Sequence, residues 1–120
     1  MKLREFYEQI GSDYQPVLDR FLGDERILEK FVRRFLEEST FGQLEEAVQK
    51  QDYQAVECEA HALKGVCANL GFERLREVCG ELVSCVRENR SQDVTEDFPR
   101  VAEQYGIVCK AIKKGMDQDD

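Results

Sequence analysis

Among 120 residues there is one histidine, His61, and the chemistry open to the chain turns on it. An imidazole with an unperturbed pKa of about 6.5 is largely neutral at neutral pH and offers a nucleophilic ring nitrogen. A phosphoryl group carried there would bring negative charge and strong acceptor oxygens, and Lys64 at i+3 stands where it can pair with them. Gly65, at i+4, costs a helix about 1 kcal/mol relative to Ala. What it offers in return is bare backbone, over which another protein can come close to the histidine. Ala62 and Ala68 keep the neighbouring surface low, while Glu57 and Cys58 lie one turn below.

Other chemistries compete for the same residues. Cys58 and His61 at i, i+3 make half a metal site, but Cys67, the next cysteine, falls on a different helix face, so no structural zinc site is expected. As a thiol nucleophile and base, the pair would lie on an open helix with no evident oxyanion donors. The plainest alternative is an ordinary rim histidine beside one of many surface lysines, with Gly65 marking only close helix packing. No Walker-type loop or Gly-rich strand-to-helix turn is present. The carboxylate pairs Glu37–Glu38 and Glu45–Glu46 read as solvated helix faces.

The elements that must hold His61 are helical almost throughout, because no stretch alternates with period two over a strand length. Leu3, Phe6, Tyr7 and Ile10 predict a short helix ending at Gly11. Ser12 with Gln15 has the spacing of a capping box, and Pro16 suits the first turn of a helix carrying Val17, Leu18, Phe21 and Leu22 up to Gly23. Asp24 is placed to cap a helix whose inner stripe is Ile27, Leu28, Phe31, Phe35 and Leu36. Thr40 with Gln43 has the capping-box spacing again, so residues 40–50 form either a new helix or a bent continuation.

From Asp52 the pattern is most regular: Tyr53, Val56, Ala60, Leu63, Cys67 and Leu70 recur at intervals of three and four, as on a bundle seam. On a wheel of about 100° per residue His61 falls about 130° from the centre of that seam, on the open side. Gly71 supplies the stop and the turn into the next helix, which carries Phe72, Leu75, Cys79, Leu82 and Val86. A last helix is expected from about Asp97 and Pro99, with Phe98, Val101, Tyr105, Val108 and Ile112 inward. Lys110, Lys113 and Lys114 favour its C-terminal dipole, and Gly115 ends it. The fold expected is all-α, an up-and-down antiparallel four-helix bundle with additional short N-terminal helices. Residues 1–115 form one domain and 116–120 an acidic tail.

Composition narrows the function further. Lys and Arg number 17 against 25 Asp and Glu, a formal net charge of -8, which disfavours a nucleic-acid binder or docking on an anionic membrane. The charged start of the chain shows no signal-peptide stretch, and no window is apolar enough for a membrane span. Five cysteines without a CxxC pair are expected to be reduced, buried small hydrophobes in a cytoplasmic protein. Met1 and the acidic end suit a free-standing chain.

The run His61-Ala62-Leu63-Lys64-Gly65-Val66-Cys67-Ala68-Asn69-Leu70-Gly71 resembles the signature of histidine-containing phosphotransfer (HPt) domains, roughly H-x-L-K-G, four variable positions, then L-G. The resemblance extends through Leu75, Val78-Cys79 and Leu82, and upstream through Phe31 to Phe35, Leu44, Ala47 and Asp52, covering roughly residues 13–114. It implies a four-helix bundle that acts as a carrier rather than an enzyme. His61 would be the phosphoacceptor through Nε2, with Lys64 neutralising the phosphoryl oxygens. Gly65 and Ala68 would allow the partner's close approach, Gly71 would turn the chain, and Glu57, Cys58 and Ala62 are interface candidates. The partners implied are response-regulator receiver domains and a hybrid sensor histidine kinase. The chain itself would be a monomer binding no cofactor, with Mg²⁺ expected in the receiver. One departure stands out: Val83 occupies a position where many members carry Glu or Gln to hydrogen-bond the histidine. This leaves Glu81, Glu57, water or nothing to orient His61, and leaves open a receiver-docking module of the same fold without phosphotransfer.

Overall fold

A computed structural model describes residues 1–118, and every regular element among them is helical. The helices are α1 (Leu3–Gln9), α2 (Tyr14–Arg20), α3 (Glu25–Arg34), α4 (Thr40–Gln49), α5 (Tyr53–Leu70), α6 (Glu73–Arg87) and α7 (Val94–Asp117), with single 3₁₀ turns at Phe35–Glu37 and Ser91–Asp93. Four of them close into a ring: α5 packs between α4 and α6, α6 meets α7, and α7 returns to α4. Only residues 50–52 join α4 to α5 and only residues 71–72 join α5 to α6, so these neighbours must run antiparallel. The bundle is the one that the periodicity predicts, with α1–α3 packed across its end and side.

The expected Asp24 cap forms, and Asp52, at the expected opening of the most regular helix, also caps its helix. The Asp24 carboxylate accepts from the Arg26 and Ile27 amides, and that of Asp52 from the Ala55 amide, satisfying donors that a helix start leaves open. The two capping boxes do not form. Ser12 Oγ instead accepts from the Glu73 amide at 3.3 Å, capping α6 from the far end of the sequence, where the N-cap residue Phe72 has no side-chain acceptor. Thr40 lies inside α4 and donates its hydroxyl to the Glu38 carboxylate at 2.6 Å. Extended backbone at Glu38 separates α3 and its 3₁₀ turn from α4, so residues 40–49 are a new helix.

The inner stripes of α5 and α6 are buried as expected, with Tyr53 and Val86 half-buried at the margins. The stripe of α3 is rotated: Leu28, Val32 and Phe35 are inside, whereas Ile27 and Phe31 are exposed. Leu22 is 94% exposed, because the chain leaves α2 at Arg20 and places Leu22 in a left-handed turn with Gly23. At the other end α7 begins at Val94, ahead of Asp97, and absorbs Pro99 within its early turns. It also runs through Gly115 to Asp117. Gly115 is buried there because Met1 packs onto it, with Met1 atoms 2.9 and 3.2 Å from where a Cβ would lie. Of the expected acidic tail, Met116 and Asp117 are thus helical, and residues 119–120 lie outside the described residues.

The corner between α5 and α6 is the tightest point of the fold. Gly71 has φ of +74°, and a Cβ there would sit 2.1 Å from Val17 Cγ2. Phe72 follows, buried against the rings of Phe6, Tyr7 and Phe35 at centroid distances of 5.8, 6.2 and 5.1 Å. Gly71→Ala combines left-handed strain with a clash, and should cost about 2–4 kcal/mol of stability. Guanidinium denaturation measures it, and a midpoint equal to that of the unsubstituted protein would contradict this account.

Candidate functional site

Helix α5 displays His61 halfway along its length, exposed, on the face opposite its buried seam. Cys58 and Ala62 are exposed beside it, Glu57 and Lys64 are half-buried towards α6, and Ala68 is half-buried further along. Nothing lies within 4 Å of a Cβ built on Gly65, so no helix packs on it and the backbone beside His61 is open to solvent. The close-packing explanation for Gly65 is therefore excluded, whereas Gly71 is buried and sterically required.

Two contacts show the register of α6 against this face. Arg87 Nε donates to Glu57 Oε1 at 2.8 Å, and the Lys64 stem lies along Gly80, its Cε and Nζ 3.6 and 3.7 Å from the site of a Gly80 Cβ. Four residues on from Glu57 is His61, and four back from Arg87 is Val83, so His61 and Val83 stand level. Val83 is buried and apolar, and α6 offers no hydrogen bond at that height. Glu57 is committed to Arg87, and Glu81 to Arg100 of α7 at 2.8 Å. Among the described residues no side chain hydrogen-bonds His61, and Lys64 has no ion pair.

Lys64 also borders a shallow cleft with Glu77, Glu81, Ser84, Asp97 and Arg100, which His61 does not line. At the far end of the face Arg20 of α2 donates to the Ala68 carbonyl. Ala68 lies two turns from His61 on the same side of α5. Gly80, Arg87 and Arg20 are the neighbours that sequence reading missed. The two-residue corner signals that α5 and α6 run antiparallel, but which residues meet across them depends on how the two helices pack.

The cysteines divide by burial. Cys67, Cys79 and Cys85 are buried and Cys109 half-buried, but Cys58 is exposed, against the expectation that all five pack inside. Burial pushes the Cys79 thiol up to about 12 and that of Cys67 well above the usual thiol range.

A helical bundle that holds a single histidine out on a convex helix surface, with an ammonium and bare backbone beside it, defines a module that works on groups brought by another molecule. The Hpt domain family model matches residues 27–118, and the chain belongs to that family. Hpt domains are phosphocarrier modules of phosphorelays and interact with receiver domains and kinases. The matched span takes in α7 to its end but leaves out residues 13–26, which the sequence resemblance had included. No curated protein and no solved structure gives a match. Among the described residues no helix is long and apolar enough to cross a membrane.

Two outcomes are expected from this geometry. Gly65→Ala fills open space on a helix and should stabilise the bundle by up to about 1 kcal/mol, read from the denaturation midpoint; destabilisation would mean that something packs there. Iodoacetamide should label Cys58 in the native protein, with Cys67 and Cys79 reacting only after denaturation, as mapped by peptide mass analysis.

Proposed function

We propose that the chain is a phosphorelay carrier in which His61 accepts a phosphoryl group from a receiver-domain aspartate and passes it to another. The observation that carries this reading is the pairing of an uncommitted imidazole with an uncommitted ammonium, Lys64, beside the open backbone of Gly65. The neutral imidazole attacks phosphorus through the Nε2 lone pair. The bond from phosphorus to the aspartyl oxygen breaks, and the carboxylate leaves with its electron pair. The Nδ1 proton stays on the ring, and the resulting phosphoimidazolium releases it to solvent according to pH. Lys64 offsets charge on the phosphoryl oxygens, and Gly65 with Ala68 admits the partner's active-site rim. In a loose transition state, positioning and charge neutralisation supply most of the catalysis, and the receiver brings the Mg²⁺ and its own lysine. The chain therefore needs no cofactor and works as a cytoplasmic monomer, loaded by a response-regulator receiver or a hybrid sensor kinase.

Docking has a surface to use. Phe21, Leu22, Ile27 and Phe31 form an apolar patch at the α2–α3 turn, Phe21 and Phe31 being in ring contact at 5.7 Å. Arg20, next in sequence, ties that turn to Ala68 on the His61 face. With Glu57, Cys58 and Ala62, this patch forms the contact area for the receiver. The second reading, a docking module without transfer, is favoured by one observation: Val83 leaves the imidazole without an orienting hydrogen bond.

Incubation with a phosphorylated receiver and Mg²⁺ tests both. Acid-labile phosphate should appear on the chain by mass analysis and be absent from His61→Gln; stable complex formation without it would establish the docking module instead. Lys64→Ala should slow transfer about ten- to a hundredfold, the scale of a lost charged hydrogen bond, while leaving the bundle folded. Gly65→Leu should block transfer by sterics, and Leu22→Asp should weaken receiver binding.

A further inference from the structure

We propose that Arg87 is a positioning residue for chemistry at His61, acting by holding the Glu57 carboxylate away from the imidazole. The inference rests on the reading of His61 as the phosphoacceptor and concerns the electrostatics of that site. Glu57 lies one turn before His61 on the same helix face, the spacing at which a glutamate and a histidine reach each other. Such a carboxylate would act twice against phosphorylation. It would favour the protonated imidazole, removing the lone pair that must attack, and it would repel an incoming phosphoryl group. In the folded chain that carboxylate is engaged elsewhere: Arg87 reaches across from α6 and donates to Glu57 Oε1 through Nε at 2.8 Å.

The pair is not there for stability: Arg87 is 58% exposed and Glu57 34%, and ion pairs so open to water contribute little. Its effect lies in what it withholds. The other charges around His61 are already placed or favourable. Lys64 lies along Gly80, Arg20 is held at the Ala68 carbonyl, Glu81 is bound to Arg100, and Glu88 to Arg90 at 3.1 Å. Glu57 is thus the carboxylate whose release would change the site. Val83, level with the imidazole, is buried and apolar and offers the ring no competing hydrogen bond.

Because His61 is the sole histidine, its imidazole proton signals can be followed by NMR without ambiguity. In Arg87→Gln the titration midpoint of His61 should move to higher pH than in the unsubstituted protein. The rate at which phosphoramidate, a small phosphodonor, labels His61 near neutral pH should fall several-fold. The double variant Arg87→Gln/Glu57→Gln should restore both, and Arg87→Lys should retain most of the effect of Arg87. Superposable titration curves for Arg87→Gln and the unsubstituted protein would overturn the proposal, as would a raised midpoint that persists in the double variant. Failure of any receiver to load His61 in the unsubstituted protein would instead count against the carrier reading, and the titration would still decide what Arg87 does.

Discussion

Helix α5 ends in carbonyls that have no partner within the helix, and the fold is organised around supplying them. The Tyr7 hydroxyl donates to the Leu70 carbonyl at 2.6 Å, Arg20 donates to that of Ala68, and the Phe72 amide returns to that of Cys67. An unpaired carbonyl at a buried helix end costs about as much as a lost hydrogen bond, so these donors fix where α1 and α2 must sit. Tyr7 is fully buried in making its bond, and burial holds its phenol protonated far above the ordinary range. The same corner turns the chain through Gly71, seats Phe72 among three aromatic rings and receives Ser12 as the cap of α6. A rigid α5 follows, and with it a fixed place for His61.

What α5 displays on its open face depends on the register of α6. The two-residue corner leaves little freedom to slide, so Glu57 meets Arg87 and Lys64 meets Gly80. The consequence is electrostatic. The chain carries a formal charge of -8, yet Glu57, the carboxylate one turn from His61, is held by Arg87 of the neighbouring helix. Lys64 and His61 are left uncommitted on the open face of α5. In the function proposed, the chain supplies a nitrogen, a cation and room, and the other protein supplies the remaining machinery.

Much of this was legible in the residues. Intervals of three and four along residues 53–70 and 72–86 identify the seams, and the off-seam angle of His61 follows from the same count. Asp24 read correctly as a cap because its carboxylate serves amides two and three residues ahead, and Asp52, read as the start of α5, turns out to cap it. The misreadings share one cause. Ser12 and Thr40 have the spacing of local caps, but a hydroxyl takes whichever partner the tertiary fold brings nearest. Gly115 has the look of a helix stop, yet Met1, distant in sequence, makes its missing side chain a packing requirement within the helix. Leu22, Ile27 and Phe31 are apolar at helical spacing, but α2 stops short and α3 rotates, so they face water.

The sequence by itself determined the all-helical class, the bundle, the family signature around His61 and the positions of Lys64 and Gly65 relative to it. Each of these depends on spacing within a single helix, and helical geometry is the same wherever a helix is found. Only the tertiary structure decided that Glu57 belongs to Arg87, that Lys64 lies on Gly80 and that Val83 stands level with the imidazole. Those relations link residues on different helices. Periodicity names the face that each helix buries, whereas the height at which two faces meet is set by the corner that joins them and by the packing that the whole core accepts.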